Sequence, residues 1–253
     1  MDILRFTLSG NQAFFKKPDV NAYCYFTYGH IHKVALLGMF GAILGYGGYN
    51  AMAMKDKKER AAYPEFYEKL KEIHISILPI CRKGSFDKKV VEFNNSVGYA
   101  SKEAGGNLII KQQWLEEPKW QIYLAMDCEE SRKIADALLS RKCVYMPYLG
   151  SNDHPADITD VCMITGEQEK NPLYINSLFI KQCADLDVSD EEEEWFKYEE
   201  MLPIGLDKEL NMYIYEKMVF SDMKVLQCNT DSIYSVQDDY SVQSEKKINI
   251  MFY

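Results

Sequence analysis

The chain lacks the residue spacings that most enzymes and metal proteins are built on. No two of its seven cysteines stand closer than fifteen positions, the nearest being Cys128 and Cys143. Without a Cys-x-x-Cys pair, neither a zinc knuckle nor a disulfide framework is supported, and free thiols in a reducing cytoplasm are expected. No His and carboxylate cluster has metal-ligand spacing, so no metal and no cofactor is expected. The Walker pattern is absent, and Gly45-x-Gly47-Gly48 follows a helical pattern instead of opening one, which removes the dinucleotide fingerprint. Met1-Asp2-Ile3-Leu4-Arg5 has neither the basic region nor the cleavage site of a signal peptide.

Positive charge is also scarce. Lys and Arg number 29 against 38 Asp and Glu, a net charge of −9 that by itself speaks against nucleic acid. The deficit is uneven, however. Residues 1–120 hold 17 Lys and Arg against 12 Asp and Glu, or +5, and residues 121–253 hold 12 against 26, or −14. One half can face a polyanion while the other meets something else. With 253 residues, 47% of them hydrophobic, the chain can hold one large domain or two small ones.

Charge vanishes altogether from Val34 to Met54, 21 residues long enough to span a bilayer. Glycines at 38, 41 and 45 match small-residue membrane packing. Five glycines with Tyr46, Tyr49 and Asn50 dilute the hydrophobicity, and the flanks carry no charge bias. A core helix from Val34 to about Leu44, apolar on every side and buried on most, is the expectation, with no membrane involved.

Around that helix the pattern gives a strand at Ile3–Leu8, a short helix at Glu65–Glu72 and a strand at His74–Ile80. An excursion over 85–117 follows, with hairpin arms Lys89–Asn95 and Asn107–Trp114. Lys119–Met126 is a third strand, Asp127 with Glu130 a capping box for a helix, and Val144–Leu149 a fourth strand. This order is βαββαβ, an α+β, ferredoxin-like (RRM-like) plan with a hairpin insertion. Residues 1–150 are expected to form it, and 151–253 a smaller β-rich C-terminal module with an acidic, solvated run at Asp190–Glu194.

Several side chains suit single-stranded RNA. Lys16, Lys17 and Lys33 can meet phosphates, and Phe14 and Phe15 can stack on unpaired bases. The bland alternative is a turn with two core aromatics and solvated lysines. In the excursion, Lys88, Lys89, Lys102, Lys111 and Tyr99 have the same chemistry, and Asn94, Asn95, Gln112 and Gln113 can bond base edges. Trp114 reads as core. The exposed-aromatic sheet of an RRM is missing, since Ile3, Arg5 and Thr7 occupy the relevant face, so loops and hairpin would hold the RNA, with Arg5 as the sheet residue retained. His30, His32, Lys33 and Tyr46 lie close in sequence and are candidates for acid–base cleavage of RNA; at a helix start, His32 and Lys33 equally suit phosphate binding or local hydrogen bonds.

Ala13-Phe14-Phe15-Lys16-Lys17-Pro18-Asp19, Phe26-Thr27-Tyr28-Gly29, His32-Lys33 and the glycine-spaced helix through Gly48 resemble the N-terminus of the Cas-five family. These are RAMP-superfamily subunits of the type I CRISPR surveillance complex, Cascade, and the likeness is to the type I-B branch. Residues 1–50 carry it; over 51–150 it rests on element order, the hairpin insertion and Pro147-Tyr148-Leu149-Gly150. The resemblance implies a non-catalytic subunit that caps the backbone filament and holds the 5′ handle of the CRISPR RNA. Residues 85–117 would be its thumb, and its neighbours would be a backbone subunit and a large subunit. Target DNA would be met only through the assembled complex, in antiviral defence. The alternative is a metal-independent endoribonuclease for CRISPR RNA, as in type I-C relatives; type I-B systems generally employ a separate Cas-six nuclease.

Overall fold

The computed structural model describes residues 1–19, 23–56, 58–94, 98, 102–104, 109–189, 194–238 and 246–253. The first half runs β1 (Asp2–Ser9), β2 (Gln12–Ala13), β3 (Cys24–Tyr25), α1 (Lys33–Leu44), α2 (Tyr49–Ala53), α3 (Glu65–Leu70), β4 (Ile75–Pro79), β5 (Lys88–Asn94), β6 (Ile109–Glu116) and β7 (Lys119–Ala125). It continues with α4 (Glu129–Leu139), β8 (Asp157–Gln168), β9 (Phe179–Ile180), β10 (Ala184–Leu186) and β11 (Lys197–Leu206). β12 (Tyr213–Ser221), β13 (Val225–Cys228), β14 (Ile233–Asp238) and β15 (Lys246–Met251) close the chain.

The main sheet has the order β15-β14-β8-β1-β7-β4, with antiparallel neighbours throughout. Alternation along β1 sends Leu4, Phe6 and Leu8 into the large core beneath α1, where the Phe6 and Phe40 rings meet edge to face at 6.2 Å. Ile3, on the opposite face, joins Tyr123, Val236, Ile248 and Ile250 in a second core. β11 and β12 pair with each other, and their Leu202, Leu206, Met218 and Phe220 enter the large core. The mixed architecture is α+β with a mostly antiparallel sheet.

α1 is buried on most sides, as its all-round apolar sequence requires. It stops at Gly45, whose φ of 77° is the left-handed conformation glycine adopts without strain, and the Tyr46 N–H closes back on the Gly41 carbonyl at 2.8 Å. Twelve residues are too few to span a bilayer, and among the described residues no helix is long and apolar enough to do so.

Two expectations need correction. Val144–Leu149 is no strand: the Val144 and Tyr145 N–H groups instead bond the Ile43 and Ala42 carbonyls at 2.9 and 3.2 Å, so the segment is tied to the last turn of α1. The strand beside β1 is β8, whose pattern is blurred by an irregularity between the partners of Arg5 and Thr7 and by Asp160 at φ 55°. The cap of α4 is Cys128, not Asp127. The Cys128 Sγ accepts from the Ser131 N–H while Ser131 Oγ accepts from the Cys128 N–H, because the Asp127 carboxylate is turned to His74 Nδ1 at 2.6 Å.

Candidate nucleic-acid interface

β6 is shared by two structures. On one side it pairs antiparallel with β5 from Lys88↔Leu115 to Asn94↔Ile109, forming the hairpin. On the other it receives β2 antiparallel and β3 parallel. The N-terminal loop is therefore bonded to the base of the hairpin. Within the loop, the Lys17 N–H donates to the Phe26 carbonyl at 2.8 Å and the Tyr28 N–H to the Phe15 carbonyl at 2.9 Å.

This ladder turns Phe14 and Phe15 inward. Both are buried, and Phe15 lies edge to face with His32 and with Trp120, each at 6.1 Å. Both residues also line a cavity over α1. The lysines diverge: Lys16 Nζ sits 4.0 Å over the Tyr25 ring, and Lys17 Nζ is paired with Glu200 while lying 5.1 Å over the Tyr28 ring.

The histidines are held apart by separate jobs. His30 is fully buried; the Trp120 indole N–H donates to its Nδ1 at 3.4 Å, so its Nε2–H donates to the Gly84 carbonyl at 3.0 Å. Burial pushes its pKa down to about 4. His32 caps α1, its Nδ1 accepting from the Ala35 N–H at 3.2 Å, and burial pushes its pKa down to about 3. Both rings are neutral at pH 7. Lys33 follows as the first residue of α1, its pKa lowered to about 8 by burial against opposing pulls from Glu72 and Asp127. Tyr46 donates to Glu130 Oε2 at 2.6 Å under the Lys69 ammonium, and burial followed by that carboxylate pushes it up to about 12. Arg5 is buried within β1 between Tyr123 and Cys162.

On the hairpin, Lys89 pairs with Glu116 and Lys111 with Glu92, each at 3.0 Å. Desolvation lowers the Lys88 pKa, Glu200 opposing and Lys17 adding to the effect. Asn94 ends β5 exposed, and Lys102 is exposed beyond it. Asn95 and Tyr99 lie outside the described residues. Trp114 is only half-buried, donating its indole N–H to Gln112 Oε1 at 2.8 Å. The candidate cations thus gather in two groups. Lys16, Lys17 and Lys88 stand near the loop, and Lys89, Lys102 and Lys111 follow the hairpin.

Sequence reasoning missed Glu200, which accepts from Lys17, from the Tyr198 hydroxyl and from the Gly29 N–H at 2.8 Å. It also missed the tyrosines Tyr145, Tyr148 and Tyr213, which come together over α1. No local signal marks either, because Glu200 reaches back to Lys17 and Gly29, and the tyrosines reach back to α1, far outside any window of sequence. Tyr25 alone was within reach, as the aromatic flanked by the basic loop.

No protein-family model matches the chain, and no curated protein does so either. Among solved structures, it is similar to a chain of a CRISPR RNA-guided surveillance complex at 16% identity and a TM-score of 0.49, over 88% of this chain and 90% of that one. A CRISPR protein from Archaeoglobus fulgidus aligns over 99% of both chains at 11% identity and a TM-score of 0.47. A chain of a Type III-B Cmr-beta complex bound to cognate target RNA and AMPPnP aligns at 8% identity and a TM-score of 0.40, over 89% of this chain and 86% of that one.

Proposed function

We propose that this chain is a non-catalytic RNA-binding subunit of a type I, I-B-like CRISPR surveillance complex, holding the 5′ handle of the CRISPR RNA and capping the backbone filament. The observation that carries the reading is the double pairing of β6. It makes one continuous surface of the basic N-terminal loop, which bears the family resemblance, and a hairpin that carries its own lysines. A single strand lying along that surface would meet Lys16 at one end and Lys111 and Lys102 at the other. Phosphate contacts of this kind fix position and weaken with salt.

The strand order β8-β1-β7-β4, with α1 and α4 among the crossovers, supports a ferredoxin-like core. On that reading the core extends through β8, and the β-rich C-terminal module begins after Gln168 instead of near residue 150. The negative face of the C-terminal module would then meet a backbone or large subunit and not RNA, with target DNA reached only in the assembled cytoplasmic complex.

The ribonuclease reading draws no support from the geometry. His30 has both ring nitrogens engaged, and His32 spends one on its cap. Incubation of the chain with labelled repeat RNA in excess EDTA tests the choice. Intact RNA shifted on a gel, less so at higher salt, supports the binding role; a product cut at one position within the repeat overturns it.

A further inference from the structure

α1 carries Ala35, Gly38 and Ala42 along one face, and this face floors a cavity of about 660 Å³. That volume is in the range of small-ligand sites. Tyr145, Tyr148 and Tyr213 stand around it, with Lys16 at its lining toward the hairpin. The first two tyrosines are 63% and 44% exposed, yet their backbone is fixed, by the Tyr145 N–H on the Ala42 carbonyl and the Ala156 N–H on the Pro147 carbonyl at 3.1 Å. Rigid backbone holds these rings in the open.

Gly38 is the first unexplained feature. Glycine within a helix costs stability relative to alanine. Nothing in the packing asks for it, since a Cβ at position 38 would meet only the Phe66 ring at 4.0 Å, an ordinary contact. Gly41, one turn on, differs: a Cβ there would lie 2.5 Å from the Phe66 Cβ. What the missing side chain at 38 provides is depth in the cavity.

His32 is the second. Its side chain lines the cavity and the residue is 4% exposed. Nδ1 is an acceptor for the Ala35 N–H, so the neutral ring carries its proton on Nε2. Among the described residues that N–H has no acceptor. An acceptor on a ligand in the cavity could take that N–H in place of solvent.

We propose that this cavity takes one unstacked base of a bound single-stranded RNA, its flat ring entering over Gly38 among the tyrosines and a ring nitrogen or carbonyl oxygen accepting from His32 Nε2–H. Lys16 is placed for the adjoining phosphate, and Tyr25 beneath it belongs to β3, which pairs with the hairpin strand β6. The cavity thus continues the surface described above. This pocket rests on the RNA-binding reading and adds a specific base site to it, held by stacking as single-stranded sites generally are.

The test is fluorescence anisotropy with a series of handle RNAs, each abasic at one position, against the wild-type chain, Gly38→Leu and His32→Asn. Asparagine keeps a capping oxygen for α1 while removing the Nε2–H, and thermal melts of both variants establish that they fold. For the wild type, one abasic position weakens binding about tenfold, as losing one stacked base should. In Gly38→Leu the intact RNA binds as weakly as that abasic RNA, and removing the same base has no further effect. Equal binding of intact RNA by wild type and both folded variants overturns the pocket and leaves the RNA-binding reading standing. Failure of the wild type to bind any of the RNAs overturns both. Unchanged RNA binding together with loss of a co-purified protein subunit in Gly38→Leu makes the cavity a protein-docking site instead and overturns the proposal.

Discussion

The Gly29 N–H donates to Glu200 Oε2 at 2.8 Å, joining the N-terminal loop to a strand 171 residues further on. The Tyr198 hydroxyl donates to the same oxygen, and Lys17 occupies the other. A side chain at position 29 would run into the Tyr198 hydroxyl, so only glycine admits this arrangement. The carboxylate is largely buried, with 12% of its side chain exposed. Glu200→Ala leaves these donors without their acceptor and is expected to cost about 3 kcal/mol. Glu200→Gln keeps an acceptor oxygen and costs less. Urea unfolding of the two variants checks this, and an alanine variant as stable as wild type would count against the clasp.

Acid should destabilise the fold through two histidines. His30 and His32 titrate near 4 and 3 when folded, below their ordinary 6.5. The unfolded chain therefore binds protons below about pH 6.5 that the folded chain refuses, and stability falls as pH drops through that window. The slope reaches about 1.4 kcal/mol per pH unit for each histidine. Urea midpoints between pH 6 and 5 should decline in wild type and decline less steeply in His32→Asn, with His30 and His154, whose pKa values burial also lowers, keeping the remainder of the slope. Parallel slopes would show that His32 is not the neutral cap described.

The glycines of α1 should respond in opposite directions. Gly41→Ala forces a Cβ against Phe66 and is expected to destabilise by about 1–3 kcal/mol. Gly38→Ala makes only an ordinary contact with the Phe66 ring and should stabilise by about 0.5–1 kcal/mol. Thermal melting of the pair decides it; equal shifts would contradict the packing.

The amount of this that was legible in sequence followed from how local its causes are. α1 was visible because the apolar run Val34–Leu44, ending at a glycine, announces a buried helix and its stop. The hairpin arms were visible because β5 and β6 pair with each other. β8 escaped because its Asp157-Ile158-Thr159-Asp160 start is polar and its alternation is broken opposite Arg5 and Thr7. Val144–Leu149 misled for the converse reason: it is among the chain's most apolar runs, yet its N–H groups serve the end of α1. The loop lysines were legible as charges but not as partners, since Lys17 is bound to a residue of β11. The tyrosine cavity required knowing that residues 145, 148 and 213 meet over Gly38, which no window of sequence contains.

The hairpin lysines should matter little to stability and more to RNA. Lys89 and Lys111 sit in half-exposed ion pairs worth about 0.5 kcal/mol or less. Replacing either by alanine should leave the melting temperature nearly unchanged while reducing the salt slope of RNA binding by roughly one per lysine. A variant that melts early but keeps the full slope would assign the lysine to the fold.

The most direct measurement is competition binding in EDTA between CRISPR RNA with its own 5′ handle and the same RNA with the handle scrambled. Handle recognition predicts that the intact RNA displaces the scrambled one and is recovered uncut. Equal competition by both RNAs, or recovery of a cleaved product, would contradict the assignment of this chain as a non-catalytic holder of the handle.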